Sequence, residues 1–160
     1  MKTLFITIFL VLLTAATTGL YQVVNHDKIL YGDAVGLLKQ GSYSEAISIF
    51  QKLSVKNYRK TESLIQLGLS YEKQGSIKDS IRVFRQVLSL YPADENVRLK
   101  LGELYERNRE YGLARDMYGE VVKAKPANRA AKVSLARALT AMGRFDEAID
   151  IYKAILGEKS

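Results

Sequence analysis

The chain has 160 residues, one ordinary domain's worth, with 26% charged side chains and a net charge of +7. It has no cysteine, which excludes disulfides, a thiolate nucleophile, cysteine-ligated zinc and a lipid carried on an N-terminal cysteine. Two prolines and the lack of strand-like alternation point to an all-α fold.

Residues 3–25 carry no charged side chain. Their apolar heart is Leu4 to Leu13, followed by small and hydroxyl residues up to Gly19 and a second apolar run from Leu20 to Val24. Two readings compete. A signal peptide uses Lys2 as its basic start, Leu4 to Leu13 as its apolar region and a cleavage site near Ala16. A signal anchor keeps residues 4–24 as one membrane-spanning helix, whose 21 residues at ~1.5 Å each match a hydrocarbon core of ~30 Å. Thr14 replaces the alanine that cleavage prefers, and apolar residues resume beyond it, so the anchor is favoured. A basic start held in the cytoplasm then places the rest on the other side, which in a bacterium is the periplasm. His26, the only histidine, stands at the junction as an interfacial or capping residue. Asn25 and Asp27 suit the start of a new helix.

From residue 27 onward an unbroken period of 34 residues divides the chain into 27–60, 61–94, 95–128 and 129–160. The second unit shows the pattern best. Leu64, Leu67, Gly68 and Tyr71 fall on one helical stripe, Gly75-Ser76 interrupts it, and Ile77, Ile81, Phe84 and Val87 form the next. Ser76 with Asp79 has the form of a capping box, and Pro92 closes the unit. The eighth position reads Ala34, Gly68, Gly102, Ala136, and the eleventh Leu37, Tyr71, Tyr105, Leu139. The twentieth reads Ala46, Ser80, Ala114, Ala148, and the twenty-fourth Phe50, Phe84, Tyr118, Tyr152. Pro92 and Pro126 precede Asp94 and Asn128 as caps of the following helices. Two columns depart from the rule. The fourth ends in Arg98 and Lys132, whose stems must snorkel, and the seventh opens with Asp33, a carboxylate at an expected core position.

These columns resemble the tetratricopeptide repeat, over residues 27–160. The resemblance implies a right-handed α-solenoid of antiparallel helix pairs whose first helices line a concave groove. It also implies a binding scaffold without catalytic activity of its own; no Gly-rich loop follows a strand and no His, Asp or Glu set has metal spacing, so no cofactor or metal is expected. On the family's groove positions stand Tyr31, Val35, Ile65, Gln66, Leu69, Leu99, Lys100, Glu103, Val133 and Arg137. The carboxylate clamp of some chaperone-binding members is absent, since Tyr31, Val35, Gln66, Asn96 and Lys100 hold its places with one cation among them. An apolar floor with mixed charges suits an amphipathic helix or an extended peptide of a protein partner.

The last hairpin points Ala148, Tyr152 and Ile155 inward, leaving Ile149, Ile151 and Leu156 for a partner or a second copy. Basic residues interleave with acidic ones, and only Lys52 to Lys60 concentrates charge, so no nucleic-acid partner is expected. The reading is a membrane-tethered scaffold that recruits or stabilises components of an envelope assembly. Its alternatives are an integral structural subunit of a membrane complex and a cleaved, soluble periplasmic chaperone.

Overall fold

The computed structural model describes residues 25–157 together with Thr14 and Thr17. Apart from those two threonines, the expected anchor at residues 4–24 lies outside the described residues. Among the described residues no helix is long and apolar enough to cross a membrane. Residues 26–156 form eight helices in four hairpins, with no strand among the described residues, and the architecture is an all-α solenoid. The chain divides into two compact units, Met1–Ser63 and Leu64–Ser160.

The first unit holds α1 (His26–Gln40) and α2 (Tyr43–Val55). Gly41 ends α1 at φ 85°, a left-handed value that lets Ser42 N–H reach Leu37 O at 2.9 Å. Ala34 and Ala46 are both fully buried, as the eighth and twentieth columns require for close approach of two backbones. Phe50 and Leu53 of α2 are fully buried as well, and Tyr31 meets Phe50 edge-on with ring centroids 5.6 Å apart. Asp33 corrects the sequence expectation. It is exposed, so its carboxylate keeps its water and no core position is compromised. The chain leaves α2 through Asn57 and Arg59, both left-handed at φ 58° and 41°, and Tyr58 between them stands where the next two repeats have Pro92 and Pro126.

The second unit begins in α3 (Lys60–Gln74) and continues with α4 (Ile77–Leu90), α5 (Glu95–Arg107), α6 (Tyr111–Ala124), α7 (Arg129–Ala141) and α8 (Phe145–Leu156). Gly68 and Gly102 each lie under an aromatic ring. A Cβ on Gly68 would fall 2.7 Å from Phe84, and one on Gly102 would strike Tyr118. Ser80 adds a polar tie at the same crossing, its hydroxyl donating to Gly68 O at 2.8 Å. Asp94 and Asn128 cap α5 and α7, accepting from Val97 and Ala131 N–H at 3.1 and 3.0 Å.

The capping box at Ser76 does not form. Ser76 stands at the N-cap of α4 with ψ 66°, whereas Asp94 has an extended ψ of 104°, and its hydroxyl makes no cap bond. It lies 3.4 Å from Gln74 Oε1 instead, while Asp79 pairs with Arg82 at 3.0 Å. The preceding turn residue sets this geometry. Gly75 and Gly143 occupy it with φ 88° and 76°, and Arg109 holds the same place at φ 63°. An arginine there carries the Cβ–carbonyl conflict of the left-handed region, roughly 1–2 kcal/mol.

Candidate binding cleft

Helices α3 and α5 run as neighbouring first helices and leave a cleft of about 260 Å³ between them. Ile65 and Leu69, one helical turn apart, form one wall, and Asn96, Val97 and Lys100 form the other. Phe84 of α4 closes the floor and Asp94 stands at one end. Ile65 and Leu69 are half-buried, so they pack and still present apolar surface. Its volume lies just below the ~300–1,000 Å³ of small-molecule pockets.

The charges around the cleft are already engaged. Lys100 Nζ lies 2.8 Å from Glu103 and 3.6 Å from Glu72, and Arg107 approaches the other oxygen of Glu72 at 2.5 Å. Burial works against the Lys100 ammonium, but the hydrogen bond and charge of Glu103, followed by Glu72, outweigh it and raise its pKa. One repeat later the pattern recurs. Glu106, at the same repeat position as Glu72, accepts two hydrogen bonds from Arg137 at 2.6 and 3.1 Å. Tyr118 also donates to Glu106 at 3.2 Å. The hydrogen bond to Glu106 raises the Arg137 pKa, and burial, reinforced by that carboxylate, raises the Tyr118 phenol. Carboxylates from α3 and α5 thus reach cations on the next first helix, lacing α3 to α5 and α5 to α7. Each such half-exposed pair contributes little stability, about 0–1 kcal/mol. Their effect is to fix the side chains and to leave apolar contact as the available attraction.

Of the sequence-predicted residues, Ile65, Leu69 and Lys100 converge on this cleft. Gln66 and Leu99 are half-buried on the same helices but do not line it, and Glu103 is exposed and bound to Lys100. Val133 is 38% exposed on α7, and Arg137 is tied to Glu106. Tyr31 and Val35 belong to the first unit. Tyr31 is wrapped there by Phe50, by Tyr58 at 6.4 Å and by the Arg59 guanidinium 4.8 Å above its ring. On α8, Ile149 and Leu156 are exposed. Ile151, assigned by sequence to that outer edge, is instead half-buried against the cluster of Ala136, Leu139 and Ala148. Tyr152, expected inside, is 39% exposed. Sequence reasoning missed the carboxylate lacing, although Glu72 and Glu106 share one column. No group of three or more histidine, aspartate or glutamate side chains among the described residues is placed to hold a metal ion.

Tetratricopeptide-repeat family descriptions match residues 62–94 and 99–160. The chain is a tetratricopeptide-repeat protein. No curated protein matches it by sequence. Among solved structures, MamA of AMB-1 is similar at 28% identity and a TM-score of 0.68, over 82% of this chain and 72% of that one. MamA of MSR-1 is similar at 28% identity and a TM-score of 0.67, over 83% and 76%. MamA 41-end from Desulfovibrio magneticus RS-1, at 23% identity, has the same fold with a TM-score of 0.72 over 82% and 74%. Repeat and fold make this tetratricopeptide-repeat protein a protein–protein interaction scaffold.

Proposed function

We propose that the protein is a membrane-tethered scaffold of a bacterial envelope assembly. It holds a protein partner by an amphipathic helix or extended peptide laid along the first-helix face of its second to fourth repeats. The observation that carries this reading is the cleft floored by Phe84 and walled by Ile65, Leu69 and Val97, with Lys100 already paired to Glu103 and Glu72 and Asp94 accepting the cap bond from Val97 N–H. A ligand side chain entering it gains apolar burial without stripping an unpaired charge of water. Tethering is supported by the uncharged run over residues 3–25, and the basic start at Lys2 favours repeats on the non-cytoplasmic side. Exposed Ile149 and Leu156 supply a second apolar contact for a component of the same assembly.

The test is gentle solubilisation from membranes, crosslinking and identification of what remains attached to the wild type and to Leu69→Glu. A defined protein retained by the first and lost from the second supports the reading. Equal retention by both shows that the cleft does not bind. Recovery of the protein in the soluble fraction, with a mass lacking the first residues, removes the tether.

A further inference from the structure

A larger cleft, of about 600 Å³, opens between the second helices α6 and α8 with α7 as its floor. The cleft one repeat earlier, between α4 and α6 over α5, has about 490 Å³ and shares five repeat positions with it, those of Gly119, Leu135, Leu139, Glu147 and Ile151. The columns differ in chemistry. Gly119 stands where Arg85 stood, Leu139 replaces Tyr105, and Glu147 replaces Leu113. Losing the arginine side chain opens one wall, since a Cβ on Gly119 would meet nothing within 4 Å. Leu for Tyr lowers the floor. What was an apolar groove with a basic rim becomes an apolar floor with an acidic rim.

The charges on that rim do not cancel. Arg115 pairs with Asp116 at 2.5 Å, and Arg144 grips Glu147 through two bonds of 2.5 and 2.7 Å. Glu120 on α6 and Asp150 on α8 remain, one on each wall, and no cation among the described residues pairs with either. They lie above Leu135, Leu139 and Ile151. On a chain of net charge +7 this acidity is local, so its attraction acts within the cleft and over about one Debye length, ~8–10 Å.

We propose that this second-helix cleft docks a short basic amphipathic segment of a partner protein. The segment's aliphatic side chains rest on Leu135, Leu139 and Ile151, and lysine or arginine on either side reaches Glu120 and Asp150. Two helices flanking a third form the trough that helix-in-groove recognition uses. Charge complementarity selects the segment, and the Arg85-rimmed cleft one repeat away rejects it. This surface is separate from the α3–α5 cleft, so the scaffold holds two partners at once.

The test uses the full chain in neutral detergent and a labelled helical peptide of leucine and lysine, with its leucine–glutamate counterpart as control. Fluorescence anisotropy is expected to show salt-sensitive binding of the lysine peptide alone. Glu120→Gln with Asp150→Asn weakens it at least tenfold, and Gly119→Arg, restoring the side chain of the preceding repeat, abolishes it. Leu69→Glu leaves it unchanged, which separates this proposal from the α3–α5 reading. Four outcomes overturn it: equal binding of both peptides, no effect of the Glu120 and Asp150 changes, loss on Leu69→Glu, or no binding at all. A fifth is self-association of the chain that the same variants abolish, which makes a second copy the occupant.

Discussion

Replacing Gly102 by alanine tests the contact on which each central repeat is built. The new methyl would strike Tyr118 Cε1 and lie 2.6 Å from Cζ and 2.9 Å from Cδ1. The ring cannot swing away, because Tyr118 is 1% exposed and its hydroxyl is held by Glu106. Overpacking of this kind costs about 1–3 kcal/mol, against roughly 1 kcal/mol gained from the helix preference of alanine over glycine. Contacts this short put the cost toward its upper end, so a net loss of about 1–2 kcal/mol is expected. The matching control is Gly119→Ala in α6, where the methyl meets nothing within 4 Å and only the ~1 kcal/mol gain applies. The two variants should therefore differ by about 2–3 kcal/mol, roughly 5–10 °C in Tm for a chain of this size. Thermal melts followed by circular dichroism measure it. If Gly102→Ala melts with or above Gly119→Ala, ring-on-glycine packing does not hold the hairpin.

Arg109→Gly removes the left-handed strain at the third hairpin turn, with part of the gain returned through the freer unfolded chain, and should stabilise by about 0.5–1 kcal/mol. A lower Tm would show that the arginine side chain matters there. Lys125, through its hydrogen bond, and then Asn128 hold the Glu95 carboxyl below its ordinary value of 4.5. The stability this gives is fully present above that value and fades as pH falls through the lowered one. The Tm gap between wild type and Glu95→Gln should accordingly close on acidification; a gap that persists in acid refutes the pairing. The Tyr118 phenol, raised by burial, should be missing from the tyrosinate absorbance step near its ordinary value of 10.0. Its contribution is present below that pH and is lost as pH rises further. Ile65→Glu, at a half-buried wall position, should lower partner retention while moving Tm by less than about 3 °C. A collapse in helicity would make Ile65 a core residue.

The fold was readable because one 34-residue period repeats the same packing problem. A small residue at the eighth position of one helix must meet a ring at the twenty-fourth, and Gly68 with Phe84 and Gly102 with Tyr118 do so in space. Caps at Asp94 and Asn128 were readable for the same local reason. Ser76 was not, since a cap needs an extended backbone and the turn after Gly75 denies it. Arg109 was hidden although three glycines mark its column, because a left-handed residue announces itself only by the glycine it lacks. Asp33 looked costly on the column rule, but that rule assumes burial, and Asp33 is exposed. Of the groove residues, Ile65 and Leu69 were placed by the groove positions that the family resemblance implies, and both line the cleft. The fate of Lys100, Glu103 and Arg137 did not, because ion pairs between successive helices depend on side-chain reach across a gap that one helix's sequence does not encode. The α6–α8 cleft was legible only in hindsight, as the difference between Gly119 and Arg85.

A protein partner held in the apolar cleft between α3 and α5, as proposed, should be released when the cleft wall is charged. Crosslinking in native membranes with wild type and Leu69→Glu, each checked for helicity and Tm, tests it most directly. One defined crosslinked protein is expected with the wild type, lost on Leu69→Glu while the helicity and melting of the two stay alike. The same crosslink at undiminished yield in the variant would contradict it.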